Sequence, residues 1–254
     1  MPNYGQLIIY GDSTCLPRPE SSSSKETWPS IIHKAIGLET PAYIRAFAGA
    51  DSRELLKLCV RDLFHFGLDL NLRRNERSLV ILMFGIVDSA VLPFTYKLSP
   101  MRRIPFIGSF AWKCFLNAVH PFRFRLQALW SYNAIDSGEF ESNLKQILLK
   151  LNPEAADVLL VLHPIPHITT EKRSPKWQKS AIRYNAIKSK LSSVQSNIHL
   201  VDVTAFPPEF YISPEDGHHF STLGHEWISG EIIAAYQGIA HGRSNSDKGE
   251  NSEI

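Results

Sequence analysis

The chain has 254 residues, 44% of them apolar and 20% charged, with 14 Gly and 16 Pro spread along it; a packed core can form, and a disordered or collagen-like chain is excluded. Its 27 Lys and Arg nearly balance 25 Asp and Glu, and a net charge of +2 gives no ground for whole-chain nucleic-acid binding. The length fits one domain with an insertion, and Cys15, Cys59 and Cys114, with no Cys-x-x-Cys spacing, argue for reduced thiols rather than a disulfide framework or zinc knuckle.

In chain order, a strand is expected over Gln6–Tyr10, a helix over Trp28–Gly37, a strand over Tyr43–Phe47, a helix over Ser52–Phe66 and a strand over Leu79–Phe84. After an interruption come a helix over Phe140–Leu151, a strand over Asp157–Leu162, a helix over Lys176–Val194, a strand over Ile198–Val203 and a helix over Thr222–Tyr236. The strand runs are mostly continuous Leu, Ile and Val, as in strands buried on both faces of a parallel sheet. The helical segments space apolar residues by three and four, and several open on Ser, Asp or Thr in a capping position. This alternation predicts an α/β protein, a three-layer α/β/α sandwich around a flavodoxin-like five-stranded parallel sheet in the order 2-1-3-4-5. Its functional groups are expected at the carboxyl ends of the strands.

Residues 1–240 read as one domain, and 241–254, polar and without apolar periodicity, as a disordered tail. The insertion, 89–135, follows the third strand. It lacks Glu and has Asp nowhere along it, but carries Lys97, Arg102, Arg103, Lys113, Arg123 and Arg125 among many aromatic residues. Two readings stay open: an amphipathic helical pair that packs as extra core, or a lid over the sheet edge that grips an anionic or lipid-bearing substrate. The apolar stretch Ile104–Val119 is shorter than the ~20 residues of a membrane-spanning helix and is interrupted by Lys113. It allows peripheral membrane contact through 89–135 but no crossing. The chain enters its first strand without a basic leader or cleavage site, so a cytoplasmic location is expected.

No two glycines stand two residues apart, so the dinucleotide turn Gly-x-Gly-x-x-Gly is missing, as is the Gly-x-x-x-x-Gly-Lys phosphate loop. Gly11-Asp12-Ser13-Thr14-Cys15 has cysteine where a Gly-x-Ser-x-Gly nucleophile elbow needs its second glycine. What remains is Ser13, on a glycine turn leaving the first strand, where a nucleophile belongs. Asp216 and His219 are three residues apart just before the last helix, a spacing that lets the carboxylate hold one imidazole nitrogen while the other faces a serine. His163, His167, His218, His219 and His225 invite a metal reading, but no Glu-containing zinc helix motif accompanies them and no metal or other cofactor is expected. His218 reads as a cleft-lining neighbour of the base, and Cys15 as a small buried hydrophobe. Asp12 and Asp88 read as turn braces. Arg18, between Pro17 and Pro19, reads either as a bidentate anchor for a substrate carboxylate, phosphate or hydroxyl or as an ordinary loop ion pair.

Gly11-Asp12-Ser13 and Asp216-x-x-His219 resemble the first and last sequence blocks of the SGNH/GDSL hydrolases, and the resemblance extends over most of the chain. It implies a Ser13-His219-Asp216 triad, with Gly49 of Phe47-Ala48-Gly49-Ala50 and the Ser13 backbone as oxyanion donors. The family's third block, Gly-x-Asn-Asp, stands here as Gly85-Ile86-Val87-Asp88, so Val87 replaces the asparagine that donates to the oxyanion. Leu16-Pro17-Arg18-Pro19-Glu20 and Glu26-Thr27-Trp28-Pro29 resemble a subgroup associated with bacterial surface-polysaccharide biosynthesis. The resemblance implies a serine esterase acting on a small-molecule or glycan ester, such as an O-acyl or O-acetyl group on a carbohydrate, with Arg18, Val87 and His218 near the substrate. The alternative is a catalytically weak or inactive glycan- or lipid-binding protein on the same fold.

Overall fold

The computed structural model describes residues 4–18, 23, 25–38, 42–65, 77–92, 114, 117–118, 132–151, 156–172, 174, 176–214 and 216–250. In chain order it contains β1 (Tyr4–Gly11), α1 (Trp28–Ile36), β2 (Tyr43–Ala46), α2 (Ser52–His65), β3 (Arg77–Met83) and the single turn α3 (Ile86–Ser89). These are followed by β4 (Val91–Leu92), β5 (Tyr132–Asn133), α4 (Ser137–Lys150), β6 (Ala156–Val161), α5 (Trp177–Ser192), β7 (Ile198–Val201) and α6 (Thr222–Glu250). The main sheet has the order β2-β1-β3-β6-β7, and each adjacent pair is parallel. Counted along the chain, this is the expected order 2-1-3-4-5.

The period-two geometry of a strand divides the apolar runs between two layers. Ile8, Tyr10, Val80, Leu82, Val158 and Leu160 pack with Leu55 of α2, Phe140 and Leu144 of α4 and Tyr184 and Leu191 of α5. Leu7, Ile9, Leu79, Ile81, Leu159 and Val161 pack on the other face with Trp28 and Ile32 of α1 and Ile228 and Ile232 of α6. Each fully buried side chain of this size contributes about 1.5–3 kcal/mol of transfer free energy; the polar residues of these strands, Gln6, Arg77, Ser78 and Asp157, fall towards their amino ends, where Asp157 is paired with Arg77 and Tyr4. The edge strands are wetter: Tyr43 and Ile44 of β2 and Leu200 of β7 are exposed, so the two-sided burial expected of the strand runs holds for the centre of the sheet and fails at its rims.

Local signals set the helix ends. α1 has Pro near its first turn and Gly37 in the left-handed conformation after its last, φ 68°. α4 starts at Ser137, three residues before the expected Phe140, because the Asp136 side chain caps it through the Gly138 N–H at 2.8 Å. α6 continues as far as Glu250, into the polar stretch that begins at His241. Most of the insertion lies outside the described residues, and with it the expected helical pair, lid and membrane contact. Its base is described: β4 and β5 pair antiparallel, Val91 with Asn133 and Leu92 with Tyr132, a connection too short to leave a periodic sequence signal. Among the described residues no helix is long and apolar enough to cross a membrane.

Candidate active site

At the carboxyl end of β1 the chain turns sharply through the 3-10 segment Ser13–Cys15. Gly11 is required there: a Cβ would overlap Cys15 Sγ and come within 3.0 Å of the Met83 carbonyl of β3. Asp12 caps the turn by accepting from Thr14 N–H at 3.0 Å and Thr14 Oγ1 at 2.7 Å. Cys15 is buried, and burial, with the Asp12 charge beside it, pushes its thiol well above the ordinary range. The Trp28 indole at the start of α1 donates to the Thr14 carbonyl at 3.2 Å. The turn that presents Ser13 is therefore fixed from both sides.

Asp216 and His219 come from the opposite end of the chain, in a loop closed by an antiparallel bridge between Tyr211 and Phe220. His167 N–H donates to the Gly217 carbonyl at 2.8 Å and the Tyr211 hydroxyl to the Ile165 carbonyl at 2.7 Å, tying this loop to the segment after β6. Within it, the Asp216 carboxylate lies 2.8 Å from His219 Nδ1 and accepts the His219 backbone N–H at 2.8 Å. His219 Nε2 lies 3.0 Å from Ser13 Oγ. Burial works against the Asp216 charge, but the hydrogen bond from His219 and the neighbouring imidazole of His218 hold it well below the usual carboxylate range. Ser13 and His219 are 7% and 8% exposed, so the two are shielded from bulk water yet reachable.

His218 has other partners: its Nδ1 lies 2.7 Å from the Asp216 backbone carbonyl and its ring lies tilted against Trp177, 5.2 Å between centroids. Asp216, His218 and His219 also each offer a ligand-type atom within 4.8 Å of the others. Those atoms already serve one another, because His219 Nδ1 and His218 Nδ1 both face Asp216. His163 faces Asp12 instead, at 3.5 Å, and His225 Nδ1 accepts the Trp28 N–H at 3.3 Å. Gly49 sits in the turn after β2 at φ 77°, a left-handed conformation that favours glycine. Since β2 pairs with β1 up to Gly11 and Ala46, that turn leaves the same carboxyl edge as Ser13. Asp88 reaches across to it, accepting the Ser52 N–H at 3.0 Å, and burial with the nearby Asp51 and Asp12 charges raises the Asp88 carboxyl to about 6. Val87 packs against Ile86, Val91 and Trp177. Arg18 reaches into the site, where a terminal guanidinium nitrogen hydrogen-bonds His219 Nε2.

Close to Asp12 and Cys15 lies a buried group that sequence reasoning missed. Lys188 of α5 is fully buried, and its Nζ donates to the Val161 carbonyl at 2.8 Å. Burial lowers its ammonium to about 7, against the attraction of Asp12 and Asp88. His163 is held low by burial and by Lys188. For Asp12 burial acts the other way, but His163 and the Thr14 donors prevail and keep it ionised. One signal in the sequence points to Lys188: it falls in the stripe Ala181, Tyr184, Asn185, Lys188 and Leu191, the inward face of α5.

At the level of sequence no family model matches the chain and no curated protein matches it. The fold does match solved structures. A lipase/acylhydrolase from Enterococcus faecalis superposes with a TM-score of 0.58 at 16% identity, over 92% of this chain and 95% of that one. An acetyl xylan esterase from Geobacillus stearothermophilus gives 0.56 at 15% identity, again over 92% and 95%. The catalytic domain of a Streptococcus pneumoniae peptidoglycan O-acetyltransferase gives 0.53 at 11% identity, over 93% and 94%. The chain has the fold of the SGNH/GDSL lipolytic hydrolases.

Proposed function

We propose that the protein is a serine ester hydrolase that removes an O-acyl group, such as O-acetyl, from a carbohydrate. The observation that carries this reading is the chain of contacts from Ser13 Oγ to His219 Nε2 at 3.0 Å and from His219 Nδ1 to Asp216 at 2.8 Å, set at the carboxyl edge of the sheet. In this reading His219 takes the Ser13 proton as Oγ attacks the ester carbonyl, and Asp216 fixes the tautomer and steadies the imidazolium that forms. The backbone N–H groups of Ser13 and Gly49 donate to the oxyanion. His219 returns its proton to the leaving alcohol, and water, activated by the same imidazole, releases the acyl group. No step requires a metal or organic cofactor.

A carbohydrate ester is supported by the two structural neighbours whose names refer to acetylated polymers, and the resemblance of the segment around Arg18 extends the reading to surface-polysaccharide modification. Hydrolysis of p-nitrophenyl acetate and release of acetate from acetylated xylan, each compared with Ser13→Ala, test it. One observation favours the second reading, a glycan- or lipid-binding protein without turnover: Val87 is packed among apolar side chains and offers no donor where an asparagine is expected. Binding of a glycan with no Ser13-dependent turnover on any acyl ester is the result that selects it.

A further inference from the structure

With Ser13 as nucleophile and His219 as base, one reacting atom still needs a side-chain partner among the described residues: the carbonyl oxygen that becomes an anion. Val87, partly buried at the position where an amide donor is expected, rests against the apolar cluster of Ile86, Val91 and Trp177. A valine has nothing to donate. Arg18, in contrast, has its terminal guanidinium nitrogen on His219 Nε2, the same nitrogen that lies 3.0 Å from Ser13 Oγ. A guanidinium only donates, so in the resting site His219 Nε2 accepts, and its single lone pair is shared by Arg18 and the Ser13 hydroxyl. That sharing has to end when the reaction starts.

We propose that Arg18 is a catalytic residue that takes over the role of the missing amide, moving from His219 Nε2 to the ester oxygen as Ser13 attacks; the proposal rests on the esterase reading above. In the step, the Ser13 O–H bond breaks and its proton passes to His219 Nε2. The Oγ–C bond forms, and the carbonyl π pair moves onto oxygen. His219 Nε2 now carries a hydrogen and a positive charge, so it can no longer accept from Arg18 and repels it. The oxyanion offers Arg18 a new, anionic acceptor. Collapse of the tetrahedral intermediate returns the pair to the C=O bond, and His219 gives its proton to the departing alcohol. A guanidinium bonds an anionic oxygen far more strongly than a neutral carbonyl, so this contact favours the transition state over bound substrate. Arg18 is also held close to the nucleophile, because it follows the Ser13 turn by a short half-buried loop whose Leu16 N–H is tied to the Ser13 carbonyl at 3.2 Å.

The test compares Arg18→Met, Arg18→Lys and Ser13→Ala in turnover of p-nitrophenyl acetate and in binding of butylboronic acid, which forms a tetrahedral anion on a serine hydroxyl. Arg18→Met is expected to lower kcat about 100-fold or more, to weaken boronate binding by a similar factor, and to leave KM within about threefold; Arg18→Lys keeps part of the activity. Adding Val87→Asn to Arg18→Met is expected to restore at least about tenfold of the lost turnover, a recovery that a misfolded variant cannot show. Unchanged kcat in Arg18→Met, unchanged boronate affinity, or a loss that Val87→Asn does not restore overturns the proposal and leaves Arg18 as a positioning residue or bystander. Those results leave the esterase reading standing so long as turnover requires Ser13. Turnover that survives in Ser13→Ala overturns that reading, and the proposal with it.

Discussion

Asp216 grips His219 twice, its carboxylate accepting from the ring at Nδ1 and from the backbone N–H, each at 2.8 Å. The double grip fixes both the rotation of the imidazole and the position of the loop that carries it. His218 shares Asp216 as a neighbour but meets its backbone carbonyl, at 2.7 Å. It is the His219 ring that meets Ser13. His219→Ala is therefore expected to lower kcat by about three orders of magnitude or more, and His218→Ala by less than about tenfold. Steady-state turnover of p-nitrophenyl acetate checks this, and equal losses in both variants contradict the assignment.

Val87→Asn in the otherwise unchanged protein separates a site short of a donor from one already supplied. With Arg18 on the oxyanion, the new amide is expected to add less than about threefold to kcat, since one good donor from the hole accounts for roughly 100- to 1,000-fold where it is the one missing. A gain of tenfold or more, about 1.4 kcal/mol, would say that the hole is incomplete as it stands.

Stability should follow pH through His225. Burial, with a smaller contribution from His219, lowers this imidazole to about 4, whereas in the unfolded chain it protonates near 6.5. Between these values the unfolded state binds the extra proton, so the contribution of His225 to stability is complete above about pH 6.5 and falls as the pH drops towards 4, by up to about 1.4 kcal/mol per pH unit. The difference in stability between the native protein and His225→Gln, from urea unfolding at several pH values, should show that slope; the native protein alone need not, because the Asp88 carboxyl, raised to about 6, acts in the opposite direction over the same range. A difference that does not vary with pH contradicts a neutral buried His225.

Gly11→Ala tests why glycine ends β1. The added methyl meets Cys15 Sγ and lies 3.0 Å from the Met83 carbonyl, and overpacking of this kind costs about 1–3 kcal/mol. Adding Cys15→Ala removes the sulfur from its path, so the double variant should regain part of the loss and show a coupling of about 0.5 kcal/mol or more. Additive losses in urea unfolding would mean that Gly11 is there for another reason.

The central sheet was legible because β1, β3 and β6 are buried on both faces and their near-continuous Leu, Ile and Val runs advertise it. That Ser13 and the Asp216/His219 pair come together was suggested for a different reason: short motifs fall at a strand end and just before a helix, and the fold brings them within hydrogen-bond distance. Other features lie beyond local pattern. β4 and β5 are two-residue strands, joined across the insertion, that no period can signal. Lys188 looks like any solvated helix lysine until the inward stripe of α5 is traced, and Asp12 meets His163 only because β1 and β6 flank β3. The reach of Arg18 to His219 is a matter of side-chain direction, which an exposed-looking Pro-Arg-Pro segment does not encode.

Covalent labelling tests the nucleophile itself, on which every catalytic step above depends. The protein is incubated with a fluorinated alkyl phosphonate, digested and mapped by mass spectrometry, while p-nitrophenyl acetate turnover is followed in the same sample. One adduct is predicted, on Ser13, formed in step with loss of turnover, with neither adduct nor turnover in Ser13→Ala. Labelling at another residue, or turnover that persists after Ser13 is fully modified, would contradict a Ser13 esterase.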